Sequence, residues 1–265
     1  MKVFIDAVAV AAPGIKSWDD ALPVLKGEQP YQAEPLDRYK PMLLPSNERR
    51  RATELIRLAF RICEDAVKGY EYKLENLASV FATSCGDFHI IDQVCRTLCQ
   101  PERMVSPTQF HNSVHNSAAG YWSIAIQSRA PSTSLSAYDH TFQAGLIEAS
   151  SMVMAQQQQT LLAVYDTLPP SPLAAKRAIV QPFATALLLS PTASEKSLGQ
   201  LSLTLTTNES IESACTNSDM ETLRLSNPAA RSLPLLELLA NQQAGNISLS
   251  TPASQTLNLS FQPCN

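Results

Sequence analysis

A helix, a short strand, a tight turn and a second helix follow one another between Phe110 and Ala149, FHNSVHNSAAGYWSIAIQSRAPSTSLSAYDHTFQAGLIEA, an order that belongs to layered α/β chains. Asn112 or Ser113 is placed to cap the first helix, whose apolar positions Val114, Ala118, Trp122 and Ala125 recur at three- and four-residue steps. That helix is expected to end near Arg129, before the break at Ala130-Pro131. Ser132 to Tyr138 alternates small polar and apolar residues as a short buried strand does, and Asp139 begins the next turn. The second helix carries the stripe Phe142, Leu146, Ala149 and Val153. Asp139 thus stands where a strand hands over to a helix N-terminus, a place where backbone N–H groups favour negative charge.

The rest of the chain supplies further β-α units. MKVFIDAVAVAAPG is apolar enough to resemble a signal peptide, but Asp6 interrupts it, and the alternation of Phe4, Asp6, Val8 and Val10 suits a first strand closed by Gly14. Residues 15 to 45 form a Pro-punctuated connection with one short helix at most. Ser46 introduces a longer, core-facing helix marked by Leu55, Leu58, Ala59, Ile62 and Ala66, with Gly69 at its C-terminal cap. Leu77 to Thr83 reads as the second strand, and Ser84-Cys85-Gly86-Asp87 turns into a helix striped by Ile91, Val94, Cys95 and Leu98. Beyond the central stretch, Gln156 to Gln159 suits an exposed helix end, and Thr160 to Tyr165 and Phe183 to Leu189 suit buried strands across a Pro-rich loop. Leu201, Leu203 and Leu205 form an alternating strand, Pro228 to Ala240 a helix, and Ile247, Leu249, Leu257, Leu259 and Phe261 a closing hairpin.

Composition excludes several classes. With 265 residues, 45% of them hydrophobic, the chain can bury one sizeable core, so a single domain is expected. A net charge of -4 argues against a nucleic-acid surface, and Arg49, Arg50 and Arg51 read as the solvated start of a helix. No apolar run reaches the ~18 residues that a membrane span requires. The six cysteines show neither C-x-x-C pairs nor matching histidine spacing, so reduced thiols in the cytoplasm are expected, with no metal site and no disulfide framework. The sequons at Asn208 and Asn246 read as chance without a secretory signal. No G-x-G-x-x-G, P-loop or G-x-S-x-G occurs, and no cofactor is implied.

The wording N-S-A-A-G, then A-P-S, then S-A-Y-D and A-G-L-I-E-A, resembles the N-terminal half of β-ketoacyl synthases, members of the thiolase superfamily. The nearer resemblance is to shortened chain-length factors that accompany the ketosynthases of aryl polyene pathways. It implies a thiolase-like layered α/β fold, with residues 1–193 like the synthase N-terminal half and 194–265 a reduced C-terminal part. In active synthases the turn after the strand carries an acyl-accepting cysteine, and a paired set of histidines lies in a longer second half. Aligned without a gap, the cysteine position falls on Asp139, and none of the four histidines lies beyond His140. A carboxylate is a poor nucleophile toward thioesters, so both catalytic requirements are missing.

The resemblance therefore implies a non-catalytic subunit pairing with an active β-ketoacyl synthase and meeting acyl carrier protein only through that complex. Ser132, Thr133, Ser134, Leu135, Ser136, Ala137 and Tyr138 would pair across the two-fold axis. Gln109, Phe110, His111, Ser113 and Val114 would face the partner's acyl tunnel, or else be ordinary interface and core residues. The alternative is an independent thioester hydrolase or acyltransferase that gathers Asp139, His140, His111 and His115 with Ser113 or Cys85.

Overall fold

The computed structural model describes residues 1–69, 73–208, 210–252 and 254–264. Its elements are, in order, β1 (Lys2–Ala11), α1 (Trp18–Leu25), α2 (Ser46–Arg51), α3 (Glu54–Ala66), β2 (Ala78–Ala82), α4 (Phe88–Leu98), α5 (Pro107–Asn112) and α6 (Ser117–Ile126). Then come β3 (Ser132–Leu135), α7 (Thr141–Gln156), β4 (Thr160–Asp166), α8 (Ser171–Ala174) and β5 (Phe183–Ser190). The chain closes with β6 (Gly199–Thr206), α9 (Ser218–Ser226), α10 (Leu233–Asn241), β7 (Gly245–Thr251) and β8 (Gln255–Pro263). All eight strands share one sheet, ordered β3-β2-β4-β5-β1-β6-β8-β7. Strands β3, β2 and β4 are parallel, and every pairing from β4 to β7 is antiparallel.

Period-two alternation sorts the central strands between two cores. Val80, Ala82, Leu162, Val164, Leu187 and Leu189 pack on one face with α7, and Phe81, Leu161, Ala163, Tyr165 and Ala186 pack on the other with α3 and α6. The layered α/β fold expected from the sequence is observed. Phe142, Leu146, Ala149 and Val153 are fully buried, and α7 lies so close to the sheet that a Cβ at Gly145 would stand 3.0 Å from Ala82 Cβ. The turn Pro228–Ser232 and α10 join the same core, so residues beyond 193 help cover α7.

Several elements differ from expectation. The first strand has a bulge between Ile5 and Ala7, which places Val3 and Ile5, not Phe4 and Asp6, on the face of Val8 and Val10. Asp6 turns aside and accepts hydrogen bonds from Ser197 Oγ (2.6 Å) and Gln159 Nε2 (2.9 Å). The helix expected from Ser46 is two helices. Ala52 is extended, Thr53 caps α3, and the Arg57 guanidinium donates to the carbonyls of Arg49 and Ala52, bracing the break. Gly69, expected as the α3 cap, lies beyond it, because the helix ends at Ala66. The loop before β5 contains the short α8.

Neither Asn112 nor Ser113 caps a helix beginning there. Asn112 ends α5 and spends its amide on Arg51 O (2.8 Å) and the Tyr121 hydroxyl (3.0 Å), so α6 starts only at Ser117 and ends at Ile126. Val114 is consequently outside the helix and exposed, whereas Ala118 and Trp122 are buried. The α4 stripe also faces outward: Ile91 is 38% and Leu98 50% exposed, and the buried residue of that helix is Ile90.

Candidate functional site

Parallel strands bring their C-terminal ends to one side of a sheet, where loops converge. Here those ends are Ala82, Leu135 and Asp166, facing the turn that leads into α7. The strand expected from Ser132 to Tyr138 ends at Leu135. Ser136 and Ala137 leave the sheet, and Tyr138–His140 form a 3₁₀ turn. The reason is local: Thr141 Oγ1 accepts from Ala137 N (3.1 Å) and donates to Tyr138 O (2.7 Å), closing the chain on itself. Tyr138 has φ 54°, the left-handed region that a tyrosine rarely occupies, so the strained position is one residue before Asp139.

Arg177 reaches this turn from the loop after α8. It is 8% exposed, donates from Nη1 to Asp139 Oδ1 at 2.5 Å, and lays its guanidinium 3.9 Å from the centroid of the Tyr138 ring. Burial opposes the charge on Arg177, but the Asp139 carboxylate and Cys85 together outweigh it and hold the guanidinium protonated still more firmly. Cys85 lies within reach of the same guanidinium, and its sulfur stands 3.3 Å from Ser84 Oγ.

Behind this pair stands Asp166, 2% exposed, whose Oδ1 accepts from Thr83 Oγ1 (2.9 Å), Ser84 N (2.8 Å) and Ser84 Oγ (2.9 Å). Asn227 Nδ2 ties the carbonyls of Asp166 and Gln181 together, and Ser136 Oγ donates to Ser84 O. Burial pushes the Asp166 carboxyl up to about 6, against the Ser84 and Thr83 hydrogen bonds that hold it down. A folded-state pKa above the unfolded value favours the folded chain below the unfolded pKa, and this contribution is lost as pH rises through the folded pKa. The window is therefore about pH 4 to 6. Asp166→Asn keeps an oxygen for the three donors and removes the titration. Relative to the wild type it should gain about 2–3 kcal/mol of stability between pH 4 and 7.5. Denaturant unfolding at the two pH values measures this, and a pH-independent difference would refute it.

The histidines of the alternative site are not gathered. His140 Nδ1 donates to Ser250 O (3.0 Å), and His115 Nε2 donates to Thr83 O (3.3 Å). His111 packs its ring edge-on against Tyr121, and Ser113 Oγ donates back to Phe110 O. Among the described residues no hydrogen bond links any of these histidines to Asp139, Ser113 or Cys85, and no three His, Cys, Asp or Glu side chains could hold a metal ion. All six cysteines are free.

The remaining candidates lie at or near the surface. Gln109 donates to Gln93 Oε1 (3.1 Å) across α5 and α4, while Phe110 is 67%, Val114 47% and Tyr138 58% exposed. Among the described residues the outer backbone of β3 has no strand partner, and its side chains are mostly half-buried. The opposite edge of the sheet is shielded. Ser213 N donates to Ser248 O (2.8 Å), and Ser248 N donates to Ser213 Oγ (3.0 Å), occupying β7. Arg177, Asp166 and Asn227 escaped the sequence reading. A polar residue ending the apolar run Thr160 to Tyr165 could have flagged Asp166, whereas nothing in the loop pattern singles out Arg177.

Among the described residues no helix is long and apolar enough to cross a membrane. No curated protein sequence matches the chain. Solved structures do. A chain from the ketosynthase ApeO in complex with its chain length factor ApeC, of Xenorhabdus doucetiae, superposes with a TM-score of 0.71 at 24% identity, covering 98% of this chain and 99% of that one. A chain from the ishigamide ketosynthase/chain length factor gives 0.75 at 12% identity, covering 100% and 99%. One from AntDE:AntF, described as a type II PKS acyl-carrier protein in complex with its ketosynthase, gives 0.76 at 11% identity, covering 99% of each. These likenesses establish a common fold. Residues 25–253 match the model of the β-ketoacyl synthase N-terminal domain, and the chain therefore belongs to the β-ketoacyl synthase family, with its thiolase-like fold.

Proposed function

We propose that the chain is a chain-length-factor-like subunit, itself without condensing activity, that pairs with an active β-ketoacyl synthase in a polyketide or fatty-acid-type pathway of the aryl polyene kind. The observation that supports this reading is the strained turn. Its two central residues, Tyr138 and Asp139, include no thiol; one is stacked on Arg177 and the other is ion-paired to it. A carboxylate is a poor nucleophile toward a thioester, and its acyl product would be a hydrolysable anhydride. Next to that turn in the chain is the edge strand β3, and Phe110, Val114 and Tyr138 are exposed apolar side chains of the kind a partner covers. Gln109, Phe110, His111, Ser113 and Val114 would sit at that surface near the partner's acyl tunnel. Acyl carrier protein would be met through the complex, in the cytoplasm and without a cofactor, and residues 1–265 would act as one domain.

Co-expression with the ketosynthase of the same pathway tests the reading. Size-exclusion chromatography with light scattering should return a one-to-one complex, and the isolated chain should neither take up nor hydrolyse acyl groups from carrier thioesters. Asp139→Cys should restore no activity. Ser113→Phe should shorten the product at unchanged complex yield if the tunnel role holds. A stable monomer indifferent to the ketosynthase would overturn the pairing. Thioester turnover abolished by Asp139→Asn or His111→Ala would establish the hydrolase instead.

A further inference from the structure

Cys95 and Cys99 stand one turn apart at the C-terminal end of α4, and both are exposed. Cys95 lies inside the helix. Cys99 caps it in right-handed helical geometry and its N–H donates to Cys95 O at 3.2 Å, so the i, i+4 register holds through the second thiol. The helix packs chiefly on α5 and has Ile90 as its buried residue. Ile91, one turn before Cys95, and Leu98 are 38% and 50% exposed, so the two thiols belong to an outward stripe of low polarity. Arg96 on their flank is ion-paired with Asp92 at 2.7 Å. None of the roles proposed above uses these sulfurs.

Geometry excludes two fates open to neighbouring thiols. Side chains four residues apart on a helix hold their Cβ atoms about 5–6 Å apart, whereas a disulfide draws them to about 3.5–4.5 Å, so closing the bond would break the last turn of α4. A structural zinc ion takes four ligands in a tetrahedron. Among the described residues no three His, Cys, Asp or Glu side chains are grouped to supply them. An ion that bonds two sulfurs, one on either side, suits the spacing. With metal–sulfur bonds of about 2.3 Å, as in zinc thiolates, it spans about 4.5 Å between sulfurs. Two Cβ atoms at helical i, i+4 spacing bracket that span with each side chain in a staggered rotamer.

We propose that Cys95 and Cys99 form a two-thiolate site for a soft monovalent cation, copper(I). Thiolate sulfur is the donor that selects this ion, whereas hard cations take oxygen ligands. On binding, each thiol releases its proton to water as its sulfur bonds the metal. Two protons leave per copper, the bound group carries one negative charge, and no oxidation state changes. The spacing Cys-Arg-Thr-Leu-Cys lies outside the C-x-x-C pattern, and two ligands fall below the number that zinc requires. The assignment does not depend on pairing with a ketosynthase.

Anaerobic titration of the reduced full-length chain against the copper(I) complex of bicinchoninate, read by loss of the chelate's colour, tests the proposal. One copper should transfer per chain. Cys95→Ser and Cys99→Ser should each weaken binding at least about 100-fold, the advantage of a second ligand tethered beside the first. Cys264→Ser, which removes another exposed thiol, should leave binding unchanged. Thr97→Cys combined with Cys99→Ser keeps the number of thiols but turns the two to different sides of the helix, so it should bind no better than Cys99→Ser alone. Thermal unfolding of each variant confirms that it is folded. Absence of one-to-one transfer, a loss of less than about tenfold in either serine variant of the pair, or full binding by the Thr97→Cys, Cys99→Ser chain would each overturn the assignment.

Discussion

A chain carrying Ser134→Pro should fold as the wild type does, while its affinity for the proposed ketosynthase partner should fall about 100-fold. The expectation comes from the register of β3. Ser79 N donates to Pro131 O (3.1 Å) and Thr83 N donates to Leu135 O (3.2 Å), so the odd-numbered residues of β3 direct their backbone groups at β2. Alternation turns the backbone of Ser132 and Ser134 toward the open edge. Proline at Ser134 removes an outward N–H and places a ring where a partner strand would lie, without touching the β2 ladder. The Ser134 hydroxyl has no hydrogen-bond partner to lose. A lost strand hydrogen bond together with the steric misfit should cost about 3 kcal/mol, which is the stated loss of affinity. Thr133→Pro should behave differently, since it breaks the β2 ladder and destabilises the chain itself. A folded Ser134→Pro variant that still co-elutes with the ketosynthase at micromolar concentration would remove β3 from the interface.

The largest effect on stability is expected at Phe142. The side chain is fully buried in the core between α7 and the sheet, and the turn Pro228–Ser232 packs against both α7 and the sheet strands β4 and β5. Truncation to alanine leaves a cavity that a helix held against the sheet and this turn cannot collapse into, at a cost of about 3–5 kcal/mol. Domains of this kind are stable by only about 5–15 kcal/mol, so the melting temperature should drop by roughly 10 °C. The next residues upstream are the Asp139 turn, and the same variant should loosen the Thr141 contacts that close it. Phe110→Ala is the control, because a ring 67% exposed should change stability by no more than about 0.5 kcal/mol. Equal losses from the two variants, measured by thermal or denaturant unfolding, would contradict this division between core and surface.

The Asp139 site shows how far residues alone can be read. Its location at a strand-to-helix turn was legible because the α7 stripe and the Ala130-Pro131 break bracket it from both sides. Its chemistry was not. The partner of Asp139 is Arg177, 38 residues away in a loop with no periodicity, and only the closing of the chain places that guanidinium against both Asp139 and Tyr138. Asp166 is likewise an ordinary strand end in the sequence. It becomes a buried carboxyl with a raised pKa because Thr83 and Ser84, from the neighbouring strand end, fold over it.

Apolar periodicity was sufficient to find α3, α7 and the strands β2, β4, β5, β6, β7 and β8, because their buried faces are covered within this chain and repeat at the period of their own secondary structure. The same periodicity is silent about what does the covering. The α4 stripe of Ile91, Val94, Cys95 and Leu98 has a helical spacing like that of a core helix, yet it faces outward, since a stripe looks alike whether its cover belongs to this chain or another. Nor does periodicity see insertions that the tertiary fold absorbs. The bulge at Asp6 reverses which residues of β1 face α7, and the amide of Asn112, drawn away to Arg51 and Tyr121, delays α6 to Ser117. Local spacing encodes which residues share a face, and long-range hydrogen bonds and ion pairs, which cost the chain little until it has closed, settle what that face meets.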